Sequence, residues 1–134
     1  MYIDVKQKQK KKEDHNMINV NEKLQNGLTN CIKIYVPNTV NINRKLIINK
    51  YKKETAKFMA ETFGGSTSYK GQGSWISEAG EMVTEKVQIV YAYMDQETYE
   101  KKIGSVLEYV EKLKEKMSQE CISVEINNVL YFIW

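Results

Sequence analysis

The sequence predicts an α+β fold, built in strand-helix-strand-strand-helix-strand order between about Cys31 and Trp134 and closed by a C-terminal hairpin. Three observations predict it. Residues 31–36 and 122–126 alternate apolar with other side chains, the period of a half-buried strand. Two longer segments, from Ile47 to Phe63 and from Tyr99 to Met117, space their apolar residues three and four apart, as a helix with one buried face does. Between them lies a stretch rich in glycine, serine and aromatics, broken by a turn at Ser77–Gly80, which reads as a hairpin.

Each element has its own signals. In the first strand Ile32, Ile34 and Val36 share a face, and Pro37 with Asn38 ends it. The first long helix is expected from about Arg44 to Thr62, along Ile47, Ile48, Tyr51, Thr55, Phe58, Met59 and Phe63. Gly64 and Gly65 supply a left-handed stop. The hairpin pairs Thr67–Ile76 with Met82–Met94, and in the latter Val83, Glu85, Val87, Ile89, Tyr91 and Tyr93 fall on one face. Asp95 is a good N-cap for the second helix, whose stripe runs Tyr99, Ile103, Val106, Leu107, Val110, Leu113 and Met117. A strand at Ile122–Ile126 then turns at Asn127-Asn128 into Val129–Trp134. This order is the split β-α-β arrangement of ferredoxin-like folds: an antiparallel sheet with two helices on one face. The other face is left open, and its aromatic residues suit burial against another chain, so a homo-oligomer is expected.

The chain has 134 residues, of which 42% are hydrophobic and 28% charged, ordinary values for one globular domain. No apolar run approaches the ~20 residues of a membrane helix, so a cytoplasmic location and no membrane contact are expected. Residues 1 to 30 read as a flexible lysine-rich arm with at most one short turn, and residues 31 to 134 as the single domain. The arm carries six Lys against four acidic residues, with five Lys packed into residues 6–12. The two cysteines, Cys31 and Cys121, stand at the starts of predicted strands and read as small buried hydrophobes. A disulfide between them is geometrically open if the strands are neighbours, though a reducing compartment disfavours it.

Catalytic equipment is thin. The one histidine, His15, lies in the arm, which disfavours Ser-His-Asp and Cys-His schemes and leaves no Cys/His zinc site. No cofactor and no metal are expected. Gly71-Gln72-Gly73 is followed by strand rather than by a helix N-terminus and does not read as a dinucleotide turn. The hairpin is nevertheless the best candidate surface, because small residues let a ligand approach the backbone while Thr67, Tyr69, Lys70, Gln72 and Trp75 offer stacking, charge and hydrogen bonds. Against this stands a bulged strand whose glycines allow curvature. Glu85, in phase with Val87 and Ile89, is a carboxylate available as acid, base or ligand acceptor. A second candidate surface, for nucleic acid, joins Lys8, Lys10, Lys11 and Lys12 of the arm to Arg44, Lys45, Lys52 and Lys53 of the first long helix.

Four segments, Tyr35–Asn41, Phe63–Thr67, Gly71–Trp75 and Gly80–Glu85, together resemble a small family of proteins from plasmids and phages of Gram-positive bacteria, over roughly residues 32 to 133. That family brings no assigned activity. In element order the domain is also similar to CutA and PII-like proteins, which are ferredoxin-like trimers, an analogy of fold. The function expected from all this is a non-enzymatic oligomeric binding protein of a mobile genetic element, sequestering a nucleotide-like signal or blocking a host defence protein. Its alternatives are a nucleic-acid accessory protein and a small enzyme using a carboxylate.

Overall fold

Alternation is what makes residues 30–37 a strand that serves two surfaces. In the computed structural model, which describes residues 17–38 and 45–134 with the side chains of 45–48 excepted, β1 (Asn30–Pro37) buries every second residue. Ile32, Ile34 and Val36 are wholly inaccessible to solvent. Such side chains each contribute roughly 1.5–3 kcal/mol on leaving water, which ties β1 to the layer beneath it. β1 is flanked by β3 (Met82–Met94) and β4 (Ile122–Ile126), both antiparallel to it, while β2 (Thr67–Ile76) and β5 (Val129–Ile133) form the rims. The sheet order β2-β3-β1-β4-β5 is that of the ferredoxin-like α+β fold with one added strand.

Two helices, α2 (Lys45–Phe63) and α3 (Gln96–Lys116), follow a single exposed turn, α1 (Val20–Lys23). Gly64 ends α2 with φ of 91°, its N–H donating to the Ala60 carbonyl at 2.8 Å. The core between helices and sheet comprises Met59 of α2, Val106, Val110 and Leu113 of α3, Met117 just beyond it, and the even-numbered residues Val90, Ala92, Met94, Ile122 and Val124 of the strands. Leu107, read from the sequence as part of the α3 stripe, instead sits at its margin, 36% exposed. The helices meet where Phe58 stacks on Tyr109 at 4.2 Å between ring centres and the Tyr109 hydroxyl bonds to buried Thr55 at 2.9 Å.

Asp95 caps α3 by accepting from the Thr98 N–H at 2.8 Å, and this bond holds its carboxyl below the usual carboxylate range. A folded-state pKa lower than the unfolded one stabilises at every pH above the unfolded value, and the contribution fades as pH falls through the folded value. Asp95→Ala is therefore expected to lower the melting temperature at pH 7, and the gap between the two proteins to close in strong acid. Thermal denaturation at both pH values checks this, and a gap independent of pH contradicts it.

The β4–β5 turn uses two left-handed residues, Asn127 at φ of 51° and Asn128 at 73°, as a two-residue hairpin requires. Asn127 also works outward. Its Oδ1 accepts from the Cys31 N–H at 2.8 Å, and its Nδ2 donates to Asn30 Oδ1, also at 2.8 Å. Cys31 and Cys121 are both free and half-buried rather than core residues. β1 and β4 are neighbours, but the register Ile32↔Ile126 and Ile34↔Val124 sends the two thiols to opposite ends of the pair. They stand about 20 Å apart along the strands, far beyond disulfide reach.

Candidate active site on the open sheet face

Strand parity decides which hairpin residues meet. In β3 the core side belongs to Val90, Ala92 and Met94, so Val83, Glu85, Val87, Tyr91 and Tyr93 point to the sheet face that carries no helix. Glu85 is thus in phase with Val87 and Ile89 as the sequence indicates, but that phase faces away from the core. Directly opposed residues of antiparallel strands share a face, which adds Thr67, Tyr69, Gly71, Gly73 and Trp75 of β2. Lys70 and Gln72 have the other parity and lie on the helix side, where the Lys70 charge acts on Lys52. The six hairpin residues singled out in the sequence are therefore divided between two faces. Thr67, opposite Tyr91, is also six residues along from Gly73, opposite Glu85, or about 20 Å. It belongs to a separate depression, of about 420 Å³, with Gly64, Gly65 and Tyr93.

What gathers around Glu85 comes from four strands. An open pocket of about 270 Å³ is lined by Gly73 of β2, Glu85 and Val87 of β3, Tyr35 and Pro37 of β1, Ser123 of β4, and Gln119 and Cys121 of the segment before β4. Its volume is near the lower end of small-molecule sites, ~300–1,000 Å³. Glu85 is half-buried there, on a floor made apolar by Val87 and Pro37. Tyr35 forms one wall, and its hydroxyl donates to Glu125 Oε1 at 2.8 Å. Burial and this bond to the carboxylate both push the phenol pKa up, so Tyr35 remains a neutral donor. Glu125 in turn pairs with Lys33 at 3.6 Å, and Lys33 lies 5.9 Å from the centre of the Tyr91 ring. Tyr91 continues the row edge-to-face with Tyr69 and with Tyr93, its ring centre 5.8 Å from each.

Such an arrangement holds one carboxylate in a small, partly apolar recess beside hydroxyl, amide and thiol groups. It suits a cationic ligand with a flat or apolar body. Among the described residues no group of three or more His, Cys, Asp or Glu could hold a metal ion, and no helix is long and apolar enough to cross a membrane.

The basic surface read from the sequence is less coherent. Lys8, Lys10, Lys11, Lys12 and Arg44 lie outside the described residues, as does the side chain of Lys45. Lys52 donates to Asn38 Oδ1 at 3.0 Å, and burial, with the charge of Lys70, pushes its pKa down. Lys53 shares its exposed stretch of α2 with Lys50–Glu54 and Lys57–Glu61 pairs at 3.8 and 3.9 Å. Sequence reasoning missed Tyr35, Gln119, Cys121 and Ser123. Tyr35 and Ser123 each sit out of phase with the apolar residues of their strands, a signal of the open face, but it takes the β1–β3 pairing to bring Tyr35 to Glu85 and the β1–β4 pairing to bring Ser123 there.

No family model matches the chain, and none of the curated proteins does. Among solved structures, the fold is shared with a phage SAM lyase in complex with S-methyl-5′-thioadenosine, at a TM-score of 0.55 and 19% identity, over 80% of this chain and 91% of that one. It is shared equally with a phage SAM lyase in its apo state, at a TM-score of 0.55 and 23% identity, over 81% and 91%. These structures overturn the expectation of a non-enzymatic binding protein. The fold is one found in an enzyme, and of the readings made from the sequence the small enzyme using a carboxylate, ranked behind the binder, is the better-supported alternative.

Proposed function

We propose that the chain is a small lyase acting on a sulfonium nucleoside, with S-adenosylmethionine as substrate and S-methyl-5′-thioadenosine as released product. The observation that carries this reading is the placement of Glu85 in a recess formed by four strands, on the face of a fold shared with a SAM lyase. A sulfonium ion is a permanent cation and an excellent leaving group. When its bond to the four-carbon chain breaks, the electron pair passes to sulfur and leaves a neutral thioether. A lyase adds no water, so the four-carbon fragment relieves its own electron deficit, either by closing its carboxylate onto the carbon or by losing a neighbouring proton. The protein's task is then to hold the cation in a reactive shape and keep water away. Glu85 supplies the negative charge for that, Tyr35, Gln119 and Ser123 supply hydrogen bonds, and Val87 and Pro37 supply apolar contact. Incubation of the purified chain with S-adenosylmethionine, followed by chromatography, is expected to show S-methyl-5′-thioadenosine appearing as the substrate disappears. Substrate that persists unchanged through a prolonged incubation sinks the reading.

The same reading includes a homo-oligomer in which another copy of the chain covers the open face. Trp75, Tyr93, Leu130 and Phe132 stand between 46% and 54% exposed there. Within the strands this face carries only Glu85, Lys33 and Glu125 as charges, and the last two pair with each other. A nearly uncharged aromatic surface suits a second copy of itself better than a charged partner. Phe132→Asp, at a site 54% exposed, leaves the core untouched and is expected to reduce the mass measured by light scattering to that of a single chain. A wild-type protein already at single-chain mass contradicts the oligomer.

A further inference from the structure

The open face of β2 carries two glycines, and they have different reasons to be there. A Cβ added at Gly71 would meet Ile89 Cδ1 at 3.2 Å and Val87 Cγ1 at 3.3 Å, so the side chains of β3 already fill the space that Gly71 leaves. That glycine belongs to the packing. At Gly73 the nearest atom to an added Cβ is the Glu85 carbonyl oxygen at 3.9 Å, an ordinary contact distance, and the backbone φ there is one any residue adopts. The fold therefore accepts a side chain at 73. Glycine in a strand interior lacks any side chain to pack and loses more chain entropy than other residues, so a strand position that the fold could fill marks a close approach by something else.

The register identifies what that something borders. Gly73 lies directly opposite Glu85, and both line the same pocket. Trp75 follows two residues on along the same face, with its ring half exposed. We infer that Gly73 is the specificity-determining position of the site: its missing side chain is the clearance into which the body of the cationic substrate fits while its positive centre faces Glu85. The inference rests on the lyase reading and deepens it, since the clearance beside a carboxylate has to admit the groups that flank a sulfonium. The graded consequence is that a methyl at 73 is admitted beside a slender ligand, whereas a branched side chain occupies the ligand's own volume.

The test is a series of Gly73→Ala and Gly73→Val, with Gly71→Ala as the packing control, each measured for melting temperature, oligomeric mass, and kcat and KM toward S-adenosylmethionine. Gly73→Val is expected to melt at or above the wild-type temperature and keep the wild-type mass, while KM rises at least about tenfold and Gly73→Ala falls between. Gly71→Ala is expected to behave oppositely, melting lower with KM little changed. Isothermal titration with S-methyl-5′-thioadenosine gives a second readout, in which Gly73→Val loses the product binding that wild type shows. If the wild type cleaves S-adenosylmethionine and Gly73→Val does so with unchanged KM, the inference is overturned and the lyase reading stands. If Gly73→Val changes the oligomeric mass with unaltered KM, the clearance serves a neighbouring copy and the inference is likewise overturned. A wild type inert toward S-adenosylmethionine overturns both.

Discussion

Glu85→Gln is expected to reduce the cleavage of S-adenosylmethionine by about 10²–10³-fold, the usual cost of deleting one preorganised electrostatic partner from a site. The substitution keeps the shape of the side chain and removes its charge, exchanging one acceptor oxygen for a donor NH2. Because the product S-methyl-5′-thioadenosine carries no positive charge, its affinity should stay close to the wild-type value, and the loss should be confined to the cationic substrate. Chromatographic rates together with product titration measure both. A variant that cleaves within about threefold of wild type removes Glu85 from the chemistry, and one that loses product binding equally has a damaged pocket rather than a missing charge.

Ile34→Ala should have the opposite profile. Ile34 sits in the middle of β1 with both neighbouring strands paired to it, opposite Val90 and Val124, and is wholly buried against the helices. Truncation there is expected to cost roughly 2–5 kcal/mol, lost contacts plus the cavity that a paired central strand cannot collapse to fill. Against a typical stability of about 5–15 kcal/mol, that brings the domain close to its unfolding threshold. Urea denaturation should show the midpoint falling with little change in slope. A loss under about 1 kcal/mol contradicts the central place assigned to this residue in the core.

The elements were largely legible because their signals are local. The strands at Thr67–Ile76, Met82–Met94 and Ile122–Ile126, the stop at Gly64, the cap at Asp95 and the turn at Asn127-Asn128 each declare themselves within a few residues, and the structure places them there. Leu107 misled because a helical stripe is wider than the surface that covers it. The site was less legible because it is assembled by register. The sequence marks Glu85, Trp75 and the glycines, but it places Lys70 and Gln72 beside them by adjacency, when one residue of offset in a strand is a change of face. Tyr35, Ser123 and Gln119 join Glu85 only through pairings between residues 50 to 94 apart in the chain, which no short motif records. The thinness of ordinary catalytic groups also weighed wrongly toward a binder. In the proposed reaction the substrate carries its own leaving group and its own electron pair, which asks little of the protein's side chains.

Alternate residues of the same strands thus answer to different demands: in β1, Ile34 keeps the protein folded while Tyr35 shapes the recess, and in β3, Val90 and Glu85 divide the same way. Selection can therefore act on the two sets independently. Substitutions on the open face can rework a ligand preference without endangering the fold, and substitutions beneath can drift among apolar residues without altering chemistry. The same chain path can therefore be specified by very different letters, as in the backbone shared with a solved structure over 80% of this chain at 19% identity.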